Sequence, residues 1–97
     1  MNIRFDELTE RDLWEAWCKG YLCVKVEIDG KIYIVNVYDI ARLQQDFQTE
    51  MEYDGSYTTE PNLIIVDEVT PEKIKLALEV NYKNKFFDEI GAVGEVK

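Results

Sequence analysis

One stretch restricts the fold more than any other, because it joins two β-rich runs through the dipeptide Asp29-Gly30 in "YLCVKVEIDGKIYIVNVY" (21–38). Asp-Gly favours a two-residue type I′ turn, which sets the register of both strands. In that register one face of the ribbon is almost wholly apolar. Its opposed pairs are Ile28 with Lys31, Val26 with Tyr33, Val24 with Val35 and Leu22 with Val37. Turn chemistry and apolar alternation agree, so the sequence predicts a hairpin buried on one face.

Three amphipathic segments around the hairpin predict helices: "LTERDLWEAWCKG" (8–20), "DIARLQQDFQTEM" (39–51) and "TPEKIKLALEVNYKNKFF" (70–87). Capping residues mark the first and third, since a threonine precedes each and Gly20 follows the first. Apolar residues at helical spacing predict the buried stripes. The first stripe comprises Leu13, Trp14, Trp17, Cys18 and Tyr21, and the second comprises Ile40, Leu43, Phe47 and Met51. A core position is favoured for both tryptophans, with an exposed aromatic platform as the alternative.

The remaining segments predict short strands. "IRF" (3–5) indicates a short first strand or an apolar lead-in, and "NLIIVDEV" (62–69) is the continuous apolar run typical of a central strand covered on both faces. The tail 88–97 is expected to fray or to add a short strand. The order (β)αββαβα predicts one domain over residues 1–97, a small α+β two-layer sandwich with its helices packed on the sheet.

The residue inventory argues against most enzyme classes. The chain has no histidine, which excludes Ser-His-Asp and Cys-His catalysis and every histidine-ligated metal site. Cys18 and Cys23 are predicted to be buried free thiols, with a bridge between them as the alternative. The five glycines form no phosphate-binding loop. We therefore predict no catalytic residue, no metal and no cofactor.

Charge is distributed unevenly along the chain. Of a net charge of −9, most falls between Leu43 and Glu72, which contain eight acidic residues and no basic one. Such a field repels nucleic acid and anionic membranes and favours a basic protein partner. No apolar run has the length of a membrane span or the character of a signal peptide, so we expect a cytoplasmic protein.

The segment "QTEMEYDGSYTTEP" (48–61) concentrates this acidity with two tyrosines. A second turn dipeptide, Asp54-Gly55, predicts a ribbon in which 50–53 pairs with 56–59. Carboxylates steer a cationic partner and tyrosines supply contact area, so the segment is a candidate binding surface. The predicted partner-binding residues are Glu50, Glu52, Tyr53, Asp54, Tyr57 and Glu60. The alternative is a solvated connecting loop.

The order of elements from Ile3 to Ile90 resembles a group of bacterial toxin-neutralising proteins. The similar motifs are "YIVNVYDIARL" (33–43) at the end of the hairpin and "NLIIVDEVTPEKIKLAL" (62–78), a strand that runs into a helix. On these motifs the chain resembles immunity protein family eight, although it is shorter and lacks the longer helix and the aromatic, acidic ending of that group. The resemblance implies a cytoplasmic protein that binds and blocks a partner, and it carries over no catalytic residues.

The sequence therefore favours a non-catalytic binding protein, an immunity protein that neutralises a basic toxin, with a nuclease-type toxin as the candidate partner. An alternative is a small homo-oligomeric assembly or regulatory domain, in which the acidic ribbon pairs with its copy to give a homodimer. A third alternative is a carboxylate-based metal-binding protein. "EYDGSYTTE" (52–60) is rich in oxygen ligands but lacks the spacing of an EF-hand loop.

Overall fold

A computed structural model describes residues 1–5 and 7–96 and confirms the α+β class. Lys97, the last residue of the predicted tail, lies outside the described residues. A short fourth helix was not predicted, whereas the tail forms a short last strand, one of the two outcomes expected for it. In chain order the elements are β1 (Asn2–Ile3), α1 (Glu10–Lys19), β2 (Tyr21–Ile28), β3 (Lys31–Asp39), α2 (Ile40–Tyr53), β4 (Leu63–Val66), α3 (Pro71–Lys83), α4 (Phe86–Ile90) and β5 (Gly94–Glu95).

The hairpin of β2 and β3 is confirmed in the predicted register, with Ile28 opposite Lys31 and Leu22 opposite Val37. Asp29 and Gly30 have φ angles of 50° and 77°, the positive values that a type I′ turn requires. The face carrying Val24, Val26, Val35 and Val37, called the inner face here, is buried. The Asp-Gly turn and the apolar alternation of both strands favour the same register, which is why it could be predicted.

The sheet has the order β1-β2-β3-β4, and β5 pairs with the first two residues of β3, Lys31 and Ile32. β2 and β3 are antiparallel, whereas β4 runs parallel to the second half of β3, from Asn36 opposite Leu63 to Asp39 opposite Val66. The expectation of a central strand covered on both faces is wrong, because β4 is an edge strand. Its Ile64 is buried on the inner face, but Ile65 is 47% exposed on the opposite, outer face.

The core lies between the inner face of the sheet and helices α1, α3 and α4. Its buried members are Ala16, Val24, Val26, Ile28, Tyr33, Val35, Val37, Ile64, Val69, Ile74, Leu78 and Phe87. Thr70 caps α3 by accepting a hydrogen bond from the Lys73 amide, and Pro71 takes the first helical position, as predicted. The predicted third helix is too long, because it ends at Lys83. Lys85, with φ of 61°, then turns the chain into α4 so that Phe87 enters the core.

Helix α1 begins and ends where the sequence indicates but turns a different side to the core. Thr9 and Asp12 form a reciprocal capping box, and Gly20 ends the helix in a left-handed conformation. Ala16 is the buried residue, whereas Trp14 and Trp17 are 63% and 51% exposed. The predicted core position of both tryptophans is therefore wrong.

The predicted burial of Cys18 and Cys23 is also wrong. Both are exposed free thiols, with Cys18 on α1 and Cys23 on β2, so the alternative of a bridge between them is not realised. Alternation places Cys23 on the outer face, since its neighbours Leu22 and Val24 point inward.

Helix α2 packs weakly. Asp39 caps it by accepting a hydrogen bond from the Arg42 amide at 2.8 Å. No residue between Ile40 and Tyr53 is buried, and the expected stripe is wrong because Ile40, Phe47 and Met51 are exposed and only Leu43 is half-buried. None of the helices in residues 1–5 and 7–96 combines the length and the apolar content needed to cross a membrane.

Candidate functional site

A concave cleft of about 510 Å³ lies between the second half of α2, the loop after it and the outer face of the sheet. Its floor includes Tyr38 and Leu63, which alternate with the buried Val37 and Ile64 and so point outward. We call it the acidic cleft, because its wall carries four carboxylates. The lining comprises Tyr38, Asp46, Thr49, Glu50, Asp54, Ser56, Tyr57, Thr58, Thr59, Glu60 and Leu63.

The end of α2 places the first group of these side chains. Asp46, Glu50 and Asp54 are four residues apart, so they follow one side of the helix. The Asp54 amide donates to the Glu50 carbonyl at 2.7 Å and closes the helix. Gly55, with φ of 69°, then reverses the chain, so that residues 56–60 form the opposite wall.

A chain of hydrogen bonds fixes Glu60 over the sheet. The Tyr21 hydroxyl donates to Asn36 Oδ1 at 3.2 Å, and Asn36 Nδ2 donates to Glu60 Oε2. Tyr21 and Asn36 both stand on the outer face, on β2 and β3. The loop carboxylate is therefore attached to the most regular part of the fold.

Arg42 is the basic residue closest in sequence to these carboxylates, and it is already engaged. Its Nε donates to Asp46 Oδ1 at 3.1 Å, and an Nη donates to the Lys19 carbonyl at the end of α1 at 3.4 Å. The guanidinium also lies 6.0 Å from the centre of the Tyr21 ring. Arg42 thus offsets the charge of Asp46, while Glu50, Asp54 and Glu60 leave the cleft negative.

The cleft changes the proton affinity of several of its groups. A hydrogen bond that protonated Glu50 donates to the Asp54 carboxylate raises the pKa of Glu50, with burial and the charges of Asp54 and Asp46 acting in the same direction. Burial raises the pKa of Tyr57 and of Tyr38, and nearby carboxylates add to both shifts. The two phenols therefore stay neutral at physiological pH. The site offers acceptor oxygens and aromatic surface, which suit a cationic group.

The structure brings four of the six predicted site residues together. Glu50, Asp54, Tyr57 and Glu60 line the acidic cleft. Glu52 and Tyr53 are exposed outside the lining, and the Tyr53 side chain is 83% accessible.

The predicted ribbon is wrong. Residues 50–53 belong to α2, and residues 56–59 have no regular structure. Glu50 and Asp54 converge because they are one helical turn apart, rather than because two strands pair. Helix-forming residues from Gln48 to Tyr53 continue α2 through the segment expected to be a strand.

The predicted site residues did not include the other seven that complete the cleft, which are Tyr38, Asp46, Thr49, Ser56, Thr58, Thr59 and Leu63. Helical spacing from Glu50 back to Asp46 could have indicated Asp46, had the helix been extended to Tyr53. Tyr38 and Leu63 reach the cleft through pairing of β3 with β4, which no local signal reveals. Among the described residues there is no group of three or more cysteine, aspartate or glutamate side chains placed to hold a metal ion.

A smaller apolar recess of about 200 Å³ adjoins the acidic cleft. It is lined by Leu43, Gln44, Phe47, Tyr57 and Thr59. The Phe47 and Tyr57 rings meet edge to face with their centres 6.1 Å apart. Tyr57 and Thr59 belong to both sites, so the recess and the cleft share one wall.

Comparison with known proteins identifies no relative. No family model matches the chain, and neither the curated proteins nor the solved structures contain a match.

Proposed function

We propose that this chain is a non-catalytic binding protein whose acidic cleft holds cationic side chains of a basic partner protein. The observation that carries the proposal is a concave site of about 510 Å³ in which four carboxylates and two tyrosines converge. It lies on a surface supplied mainly by a stretch, 43–72, without a basic residue. Charged groups with this geometry match an arginine or lysine side chain better than a neutral ligand.

The role we propose is that of a cytoplasmic immunity protein, which binds a cognate bacterial toxin and blocks it. The acidic surface and the resemblance to immunity protein family eight support this role. A nuclease-type toxin is the proposed partner class, because nucleases bind phosphates in basic clefts and carboxylates can occupy the place of those phosphates. Glu52 and Tyr53 would contact the partner from beside the cleft.

The test is affinity capture from a lysate of the source organism with the wild-type chain and with the double variant Glu50→Gln/Asp54→Asn. The wild type should recover one basic protein near one-to-one, and the variant should recover little. Once that partner is purified, its association rate should fall on the order of tenfold in the variant, because steering by charge is lost. Raising the salt should reduce the wild-type rate steeply.

A matched control is Asp88→Asn/Glu89→Gln on α4, which removes the same two charges from exposed positions outside the cleft. This variant should keep nearly the wild-type association rate. If the association rate falls by the same factor in both double variants, total charge rather than the cleft determines binding, and the proposed site is wrong.

A homo-oligomeric assembly is the second candidate function. The observation that favours it is the pair of exposed tryptophans on α1, Trp14 and Trp17, which present a large aromatic surface. Capture of only the chain itself in the same experiment would favour this function over partner binding.

A further inference from the structure

We infer that the apolar recess receives an aliphatic or aromatic side chain from the same partner segment whose cationic residue enters the acidic cleft. The inference rests on the proposed function and specifies it, since it predicts a two-residue recognition signal. The partner segment carries one arginine or lysine and, a short distance along its chain, one large apolar residue.

The recess has the shape and chemistry of a side-chain pocket. Leu43 and Phe47 form one side, four residues apart on α2, and Tyr57 closes the other. Phe47 is 47% exposed although it packs edge to face against Tyr57, so much of its ring is still in contact with water. At about 200 Å³ the space accommodates one large apolar side chain. Covering it would remove apolar surface from water, which favours binding.

The shared wall connects the two sites. Tyr57 lines both the acidic cleft and the recess, and so does Thr59. A segment that places a cation against Glu50 and Asp54 therefore lies beside the recess, within reach of it for a neighbouring side chain. Tyr57 can pack against both partner side chains, because its ring is apolar and its hydroxyl is polar.

Charge decides which occupant fits. A second copy that met this surface symmetrically would bring one acidic cleft against another, in a chain whose net charge is −9. Repulsion between like charges opposes that contact. A cationic segment of a different protein is complementary to the carboxylates beside the recess and is the occupant we infer.

The experiment is an NMR titration of the full ¹⁵N-labelled chain with short peptides, acetylated and amidated at their ends. Each peptide carries one arginine and one leucine, separated by zero to three glycines. Matched peptides replace leucine with serine, or arginine with citrulline. The best-spaced arginine–leucine peptide should bind about tenfold more tightly than its serine counterpart, a difference of about 1.4 kcal/mol. Amide shifts should include those of Phe47 and Tyr57.

Three variants test the location of the effect. Phe47→Ser opens the recess, and Thr59→Phe fills it without removing an apolar group; both should abolish the preference for leucine over serine. Leu76→Ser is the control, because Leu76 is an exposed apolar residue on α3, away from the recess. It should leave the preference unchanged.

The outcomes separate this inference from the proposed function. Equal binding of the leucine and serine peptides, with both lost in Glu50→Gln/Asp54→Asn, would overturn the recess and leave the acidic cleft standing. Failure of every arginine peptide to shift cleft or recess amides would overturn both. Concentration-dependent shifts at Phe47 and Tyr57 without peptide would show that a second copy occupies the recess and would also refute the inference.

Discussion

At the scale of single residues, the contact between Gly20 and Asp39 joins the two halves of the fold. Gly20 ends α1 with φ of 70°, and its carbonyl accepts a hydrogen bond from the Asp39 amide at 2.9 Å. The Asp39 side chain, in turn, caps α2. A Cβ atom on Gly20 would lie 2.5 Å from the carboxylate oxygens of Asp39. The end of α1 and the start of α2 therefore depend on one position without a side chain.

We expect Gly20→Ala to destabilise the protein more than an alanine at another left-handed glycine. The left-handed conformation alone costs a residue with a Cβ about 1–2 kcal/mol. Displacing Asp39 also weakens the cap of α2, and loss of a cap costs about 0.5–2 kcal/mol. Urea denaturation followed by circular dichroism measures the sum of the two effects.

Gly55→Ala is the matched control for Gly20→Ala. Gly55 has nearly the same φ, 69°, but a Cβ there meets nothing within 4 Å. The difference in free energy of unfolding between the two variants isolates the contact with Asp39. Equal losses would show that backbone conformation alone explains the need for glycine at position 20.

At the scale of elements, two identical dipeptides illustrate what local sequence decides. Asp29-Gly30 forms a hairpin turn, in which both residues have positive φ. Asp54-Gly55 instead ends a helix, with Asp54 in the right-handed region at φ of −111°. The first pair stands between alternating β-branched residues, and the second follows the helix-forming run 48–53. The neighbouring residues, rather than the dipeptide, determined the outcome.

The orientation of α1, by contrast, depends on contacts between residues that are distant in the sequence. Its caps were predictable, because Thr9, Asp12 and Gly20 interact within the segment. Its buried side was not, since apolar residues occupy two sides of the helix. The contact of Gly20 with Asp39, 19 positions along the chain, anchors one end, and the side bearing the small Ala16 packs on the sheet. The bulkier Trp14 and Trp17 consequently face water.

Helix α3 allows a comparison of one residue type on its two sides. Leu78 is fully buried in the core, whereas Leu76, two residues away, is 60% exposed. We expect Leu78→Ala to lower the free energy of unfolding by about 2–5 kcal/mol, because it leaves a cavity. Leu76→Ala should change it by no more than about 0.5 kcal/mol. Chemical denaturation of both variants measures the difference, and a loss at Leu76 as large as at Leu78 would contradict this packing.

At the scale of the whole molecule, charge and tertiary pairing together make the cleft. The acidic composition of 43–72 was evident from the sequence, and Glu50, Asp54, Tyr57 and Glu60 followed from it. The cleft itself was not evident, because the parallel pairing of β3 with β4 brings in Tyr38 and Leu63. Local composition thus indicated the acidic residues and the tyrosine of the cleft wall, whereas the pairing of β3 with β4 determines which residues form its floor.

The charge of the cleft also predicts how stability depends on pH. The hydrogen bond with Asp54 raises the pKa of Glu50 in the folded state above its ordinary value of 4.5. Folding then favours the protonated form of Glu50. The stability that this hydrogen bond contributes is therefore fully present at pH values below the pKa of Glu50 in the unfolded chain. It is lost as the pH rises through the folded pKa. At pH 7 the two carboxylates repel each other, and we expect Asp54→Asn to raise the melting temperature there.

Melting temperatures measured from pH 7 down to pH 4 test this prediction. The advantage of Asp54→Asn over the wild type should shrink on acidification, because protonated Glu50 no longer repels Asp54. Glu52→Gln removes one charge from the same turn of α2, but outside the cleft, and so controls for net charge and for the helix dipole. If both variants show the same pH profile, the pairing of Glu50 with Asp54 has no part in the effect. A distinct profile for Asp54→Asn would show that the two carboxylates of the cleft interact in solution.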